Sequence, residues 1–240
     1  MVAAIALFGA FLAVLVGLAT LLVARLELNL HQALLYAPLK LLFRINDGAI
    51  RTARKADPPV IYAVWHQSHL EPALMLSLLP DDTLHILDEA SSQSIWLDPW
   101  RALARNIAFR AHHVFVSRRL VRRLKGNGRL AVYLPDDVAP EAKAFRLFRA
   151  ISRIATRADA SVVPIYIDGA SETLFSLAPG ARRRLAPKLR LITLPPQTIA
   201  EMIALAGDET PLAAQAFFQR MIAVRNLPPE PVEDGGKQAV

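Results

Sequence analysis

The sequence contains no cysteine. That excludes a disulfide framework, a thiolate metal site and a thiol nucleophile. Its six histidines are scattered and form no His-x-x-x-His pair, so no metal is expected. No Gly-x-Ser-x-Gly run is present, and with it goes the nucleophile turn of a serine hydrolase. Gly126-Asn127-Gly128 is not followed by Lys-Ser/Thr, so it reads as a helix-end turn rather than a phosphate loop. The first 24 residues, MVAAIALFGAFLAVLVGLATLLVA, carry no charged side chain at all.

What is present points to a membrane. Hydrophobic residues make up 53% of the 240, and the mean hydropathy is +0.30. As one helix the uncharged run would be roughly 35 Å long, enough to cross a hydrocarbon core of about 30 Å. A cleaved signal peptide would have a basic leading region and a shorter apolar run. Positive charge begins only afterwards, at Arg25, Lys40, Arg44, Arg51, Arg54 and Lys55. The positive-inside tendency then predicts a single N-terminal span in the inner (cytoplasmic) membrane, with the remainder of the chain cytoplasmic. Formal net charge is +7. No zinc-finger, RRM or KH pattern accompanies it, so an anionic membrane surface fits this charge better than nucleic acid.

The rest of the chain alternates between strand and helix patterns. Leu28–Phe43 has helical spacing interrupted by Pro38, and reads as a helix in the membrane interface or packed on the domain. Residues 45–59 are polar and read as a loop. Strands are expected at 60–64, 84–87, 114–116, 130–134, 162–167 and 189–194. Helices are expected at 72–79, 95–109, 119–125, 144–158 and 211–225. Continuous apolar strands alternating with helices predict an α/β fold, a mostly parallel central sheet flanked by helices, preceded by the transmembrane helix. The expected organisation is an anchor over 1–25, an interfacial helix and linker over 26–58, a principal domain over 59–226 and a disordered tail over 227–240.

The chemistry-bearing stretch is IYAVWHQSHLEP, residues 61–72. A β-type run ends at His66, and Glu71 follows five positions later in the first turn of the next helix. A carboxylate on so tight a turn can fix the imidazole tautomer and raise its basicity, as general-base catalysis requires. His69 reads as a rim residue. Arg146, Arg149, Arg153 and Arg157 recur at steps of three and four, forming one stripe on a helix.

Four blocks in order resemble the glycerolipid acyltransferases of the 1-acylglycerol-3-phosphate acyltransferase (PlsC-type) family. They are His66 to Glu71, HVFVSR (113–118), VYLPDD (132–137) and VVPIYIDGA (162–170). The resemblance spans Pro59 to Pro196, and is nearest to the acyltransferase portion of bacterial 2-acylglycerophosphoethanolamine acyltransferase. It implies transfer of a fatty acyl group from a thioester to the hydroxyl of a lysophospholipid, with His66 and Glu71 as a catalytic dyad. It implies that Arg118 meets the acceptor phosphate and that Pro135, Asp136 and Asp137 border the substrate. Acyl carrier protein or CoA would bring the acyl group, as a co-substrate rather than a resident cofactor. Oxyanion donors are expected among the backbone N–H groups near the turn.

The chain departs from the family pattern at named positions. Glu71 stands where the family has aspartate, Asp136 where it has glutamate, and Asp137 where it has glycine. Val138 sits where a basic residue is frequent. These changes keep two alternatives open: a catalytically degenerate lipid- or partner-binding relative, and an acyltransferase for another lysolipid such as lyso-ornithine lipid or a lipid A precursor.

Overall fold

The computed structural model describes residues 2–87, 97–101, 106–108, 117–136, 145–207 and 212–228. Helix α1 (Val2–Leu26) is followed by α2 (Leu30–Phe43) and the short α3 (Ile50–Arg54). Then come β1 (Val60–His66), α4 (Leu70–Leu78), β2 (Leu84–Leu87), α5 (Asp98–Arg101) and β3 (Asn106–Ala108). The second half holds α6 (Ser117–Lys125), β4 (Arg129–Pro135), α7 (Phe145–Ala158), β5 (Ser161–Asp168), β6 (Arg190–Thr193), α8 (Ile199–Ala206) and α9 (Ala213–Arg225).

The strands form one sheet in the order β3-β2-β4-β1-β5-β6. Every described pairing is parallel except that of β5 with β6. The expected α/β class and mostly parallel sheet are what the fold contains. β1 lies centrally, and both of its neighbours come from later in the chain. Its residues Val60–Val64 are fully buried, which accounts for the unbroken apolar run in the sequence.

Alternation along β1 divides the core in two. Tyr62 and Val64 join Ala131, Tyr133, Val163 and Ile165 on the face covered by α1 to α4. Ile61, Ala63 and Trp65 join Leu130, Val132 and Leu134 on the face covered by α6 to α9. The indole Nε1 of Trp65 donates to the Met221 carbonyl at 2.8 Å, satisfying its polar atom inside the second core.

Helix α1 is long and apolar enough to cross a bilayer. Ala19, Leu22 and Leu26 are its only buried residues, and they pack with α2 in the first core. Val2, Ile5, Leu7, Phe8, Phe11 and Leu12 are exposed, so its N-terminal half presents an uncovered apolar surface. Helix α2 is a working part of the first core. Asn29 and Gln32 form a capping box at its start. The buried Gln32 amide also donates to the Leu76 and Leu79 carbonyls, at 3.3 and 2.9 Å, fastening α2 to the end of α4. Pro38 lies inside the helix on an exposed position.

Several sequence expectations differ from the fold. The helix expected over 95–109 is instead a single turn, α5, and a strand, β3, in its described parts. Asn106-Ile107-Ala108 runs beside β2 in parallel register, and pairing at a sheet edge outweighs local helical spacing. Residues 45–59 contain α3, whose Ile50 and Ala53 are fully buried. Helix α8 was not expected, although Thr198 and Glu201 form a capping box at its start. The strand expected at 114–116 and the tail beyond residue 228 lie outside the described residues.

Candidate active site

His66 is the last residue of β1 and pairs in register with Pro135, the last residue of β4. The first and third sequence blocks therefore meet at the C-terminal edge of two adjacent parallel strands. In α/β sheets that edge is where loops converge and ligands bind. Alternation turns His66 to the same face as Tyr62 and Val64, towards α4.

Glu71 lies in the first turn of α4 and is completely buried. Its Oε1 accepts from the backbone N–H groups of Gln67 and Ser68, both at 3.0 Å. Oε2 accepts from Ser68 at 2.8 Å. These bonds compensate a buried charge and fix the carboxylate. The same Oε2 stands 3.6 Å from His66 Nδ1. That is ion-pair range, slightly beyond a hydrogen bond, and catalytic contacts commonly tighten when substrate binds. The extra methylene of glutamate is thus accommodated by holding the carboxylate on the turn's own amides. The structure brings the two residues expected to form the dyad close together, with the His66 side chain 12% exposed and the carboxylate enclosed.

Four backbone N–H groups of this turn already have acceptors within the protein. Gln67 and Ser68 N–H serve Glu71. His69 N–H donates to the Phe175 carbonyl at 3.0 Å, and Leu70 N–H to Ser68 Oγ at 3.0 Å. Three of these amides build the turn itself, and that of His69 fastens the turn to the loop at Phe175.

Asp136 follows Pro135, as expected, at the rim beside His66. Both of its oxygens have protein partners. Gln67 Nε2 donates to Oδ2 at 2.6 Å, and Arg225 Nη1 donates to Oδ1 at 2.7 Å. The residue ties the end of β4 to the turn that follows His66 and to α9. Arg118 is exposed in the first turn of α6. Arg123, further along α6, reaches the carbonyl of Asp82, which precedes β2. Helix α6 therefore runs back from the His66 edge towards the strand starts, and its beginning, with Arg118, lies towards the His66 edge. Asp137 and Val138 lie outside the described residues.

Sequence reasoning missed a polar row behind His66. The Tyr133 ring meets His66 edge-on, with centroids 5.8 Å apart. Its hydroxyl is 2.9 Å from Nδ1 of the buried His85. Burial pulls the His85 pKa down to about 3, so its imidazole is neutral at physiological pH. Burial, with the Glu71 charge, holds the Tyr133 phenol well above its usual value. Register could have located this row, because His85 pairs with Ala131, two positions before Tyr133 on the same face. Arg225 offered no such signal, being 89 residues from its partner.

One loop rides directly on the turn from His66 to Glu71. Leu177 N–H donates to the Gln67 carbonyl at 2.8 Å, and a bridge joins Ser68 to Ser176. Leu174 and Leu177 are exposed on this loop, and Leu185 further along is 73% exposed. Leu174 and Leu177 give the rim beside His66 an apolar surface.

No protein-family model matches the chain. Among solved structures, it is similar to the crystal structure of the 1-acyl-sn-glycerophosphate (LPA) acyltransferase PlsC from Thermotoga maritima. The TM-score is 0.49 and sequence identity is 16%, covering 91% of each chain.

Proposed function

We propose that this protein is a membrane-anchored acyltransferase that moves a fatty acyl group from a thioester to the hydroxyl of a lysophospholipid. The observation that carries the reading is His66 at the C-terminal edge of the sheet, 3.6 Å from a buried carboxylate that two backbone N–H groups hold in place. His66 takes the hydroxyl proton as the lipid oxygen attacks the thioester carbonyl. Glu71 orients the ring and stabilises the imidazolium that forms. The tetrahedral intermediate then expels the thiolate, which takes the proton back from His66. The products are an ester and a free thiol, with no covalent acyl-enzyme. The absence of cysteine accords with direct transfer.

The apolar α1 and the exposed leucines beside the catalytic turn support delivery of the acceptor from a bilayer. The anchor enters the inner membrane once, and the sheet domain sits on its cytoplasmic side. Arg118 binds the acceptor phosphate, and Pro135 to Asp137 border the acceptor. Arg118→Ala then raises KM for a phosphate-bearing acceptor with little change in kcat. The test is transfer of a labelled acyl chain by the full protein in nanodiscs to lysolipids differing in headgroup. Product with a lysophospholipid supports the reading. Product only with lyso-ornithine lipid or a lipid A precursor redirects the acceptor.

A further inference from the structure

Helices α6 and α7 pack side by side over the second core. Arg118, Arg119, Arg122 and Lys125 are exposed on α6. Arg146, Arg149, Arg153 and Arg157 are exposed on α7. Neither helix contains an aspartate or glutamate. Among the described residues, none of these eight cations takes part in an ion pair. The formal net charge of the whole chain is +7, so this one face accounts for all of it.

We propose that this face docks an acidic carrier protein that presents the acyl thioester; the inference rests on the acyl-transfer reading above and names its donor. The composition of the face selects among anionic partners. A helix that enters a bilayer exposes large apolar residues beside its cations. Here the apolar side of α7, with Phe148, Ile151 and Ile154, is buried in the core, and no large apolar residue of α6 or α7 is exposed. Exposed leucines are found instead on α1, α2 and the loop beside His66, with Leu205 on α8 and Leu212 and Leu227 flanking α9. The first two cover the opposite face of the sheet. Strand-tracking nucleic-acid sites add aromatic stacking platforms. The aromatic rings of α7 are buried, with the Arg149 guanidinium lying over Phe145, 5.9 Å from its centroid. Seven of the eight cations are arginine, whose planar fork suits bidentate carboxylate contacts. The 14 residues of α7 extend roughly 20 Å, a length that matches a helical protein surface better than a single nucleotide carrier. Helix α6 begins towards the catalytic edge, so a carrier seated here holds its tethered thioester within reach of His66.

The test uses the full chain in nanodiscs of neutral phosphatidylcholine. The triple variant Arg146→Glu, Arg153→Glu, Arg157→Glu is compared with the parent and with the same three positions changed to Gln. Binding of palmitoyl-acyl carrier protein is titrated directly, and KM is measured for that donor and for palmitoyl-CoA. The expected result is a rise of about tenfold or more in Kd and KM for the carrier protein in the Glu variant, with a smaller rise for Gln. KM for palmitoyl-CoA and the melting temperature stay at the parent's values, and added salt weakens binding of the parent more than of the variants. Equal carrier binding by all three proteins, or none by the parent, overturns the inference. So does a loss confined to binding of phosphatidylglycerol vesicles or DNA. Charge-dependent binding without any acyl transfer would instead remove the catalytic reading and leave the docking face standing.

Discussion

Glu71→Gln separates the structural role of the carboxylate from the catalytic one proposed for it. Glutamine keeps the shape but turns one acceptor into a donor. The two backbone N–H groups need acceptors, and Ser68 N–H now bonds both oxygens, at 3.0 and 2.8 Å. With an amide, one of these contacts becomes donor against donor, or the amide turns and loses Gln67. Bonds to charged acceptors contribute about 1.5–3 kcal/mol, and an orphaned buried donor costs a similar amount, so destabilisation of about 2–4 kcal/mol is expected. The catalytic effect is larger. His66 loses the anion 3.6 Å from Nδ1, and with it the bias towards imidazolium formation. Positioned general-base catalysis contributes about 10²–10⁴-fold, which sets the expected fall in kcat. Glu71→Asp retains the charge one methylene shorter, and falls between parent and Gln in both respects. Thermal melts and acyl-transfer kinetics on the same nanodisc samples provide the two readouts. A Gln variant within threefold of the parent kcat, with an unchanged melt, refutes the role assigned to Glu71.

The remaining predictions concern the surroundings of His66 and Glu71. His85 is held neutral with a pKa near 3, below its unfolded value of about 6.5, so the unfolded chain binds the extra proton. Its contribution to stability is complete above about pH 6.5 and is lost as pH falls towards 3, amounting to roughly 2 kcal/mol between pH 7 and pH 5. His85→Asn should flatten the melting-temperature profile over that range, and an unchanged slope would assign the acid sensitivity elsewhere. Arg225→Ala breaks the 2.7 Å contact to Asp136, but the pair is partly exposed, so a loss of at most about 1 kcal/mol is expected in chemical denaturation. A loss well above that would make this contact a keystone of the sheet edge at His66.

The parts of this fold that were legible in the sequence are those governed by local pattern. β1 and β4 are short apolar runs bounded by turns, and α7 announces itself through arginines at helical steps. His66 and Glu71 could be placed on one turn because both lie within a single strand-to-helix junction. Contacts between distant segments were not legible. The closure of Asp136 by Arg225 depends on where α9 docks, and the Tyr133–His85 pair depends on strand order. β3 was misread as helix because its three residues gain their extended form from β2, a partner that the local sequence does not reveal. The acceptors of the turn's amides were equally illegible: those of Gln67, Ser68, His69 and Leu70 bond Glu71, the Phe175 carbonyl and Ser68 Oγ.

The measurement that bears most directly on the central claim is acyl transfer by the purified full-length protein beside His66→Ala. Labelled acyl-CoA and acyl-acyl carrier protein would each be offered with a panel of lysolipids. The account predicts diacyl product with the parent and its loss in the variant, with the melting temperature nearly unchanged. Equal turnover in both proteins would remove His66 from the chemistry. Lipid bound by the parent without turnover would leave this fold as a lipid-binding relative of such enzymes.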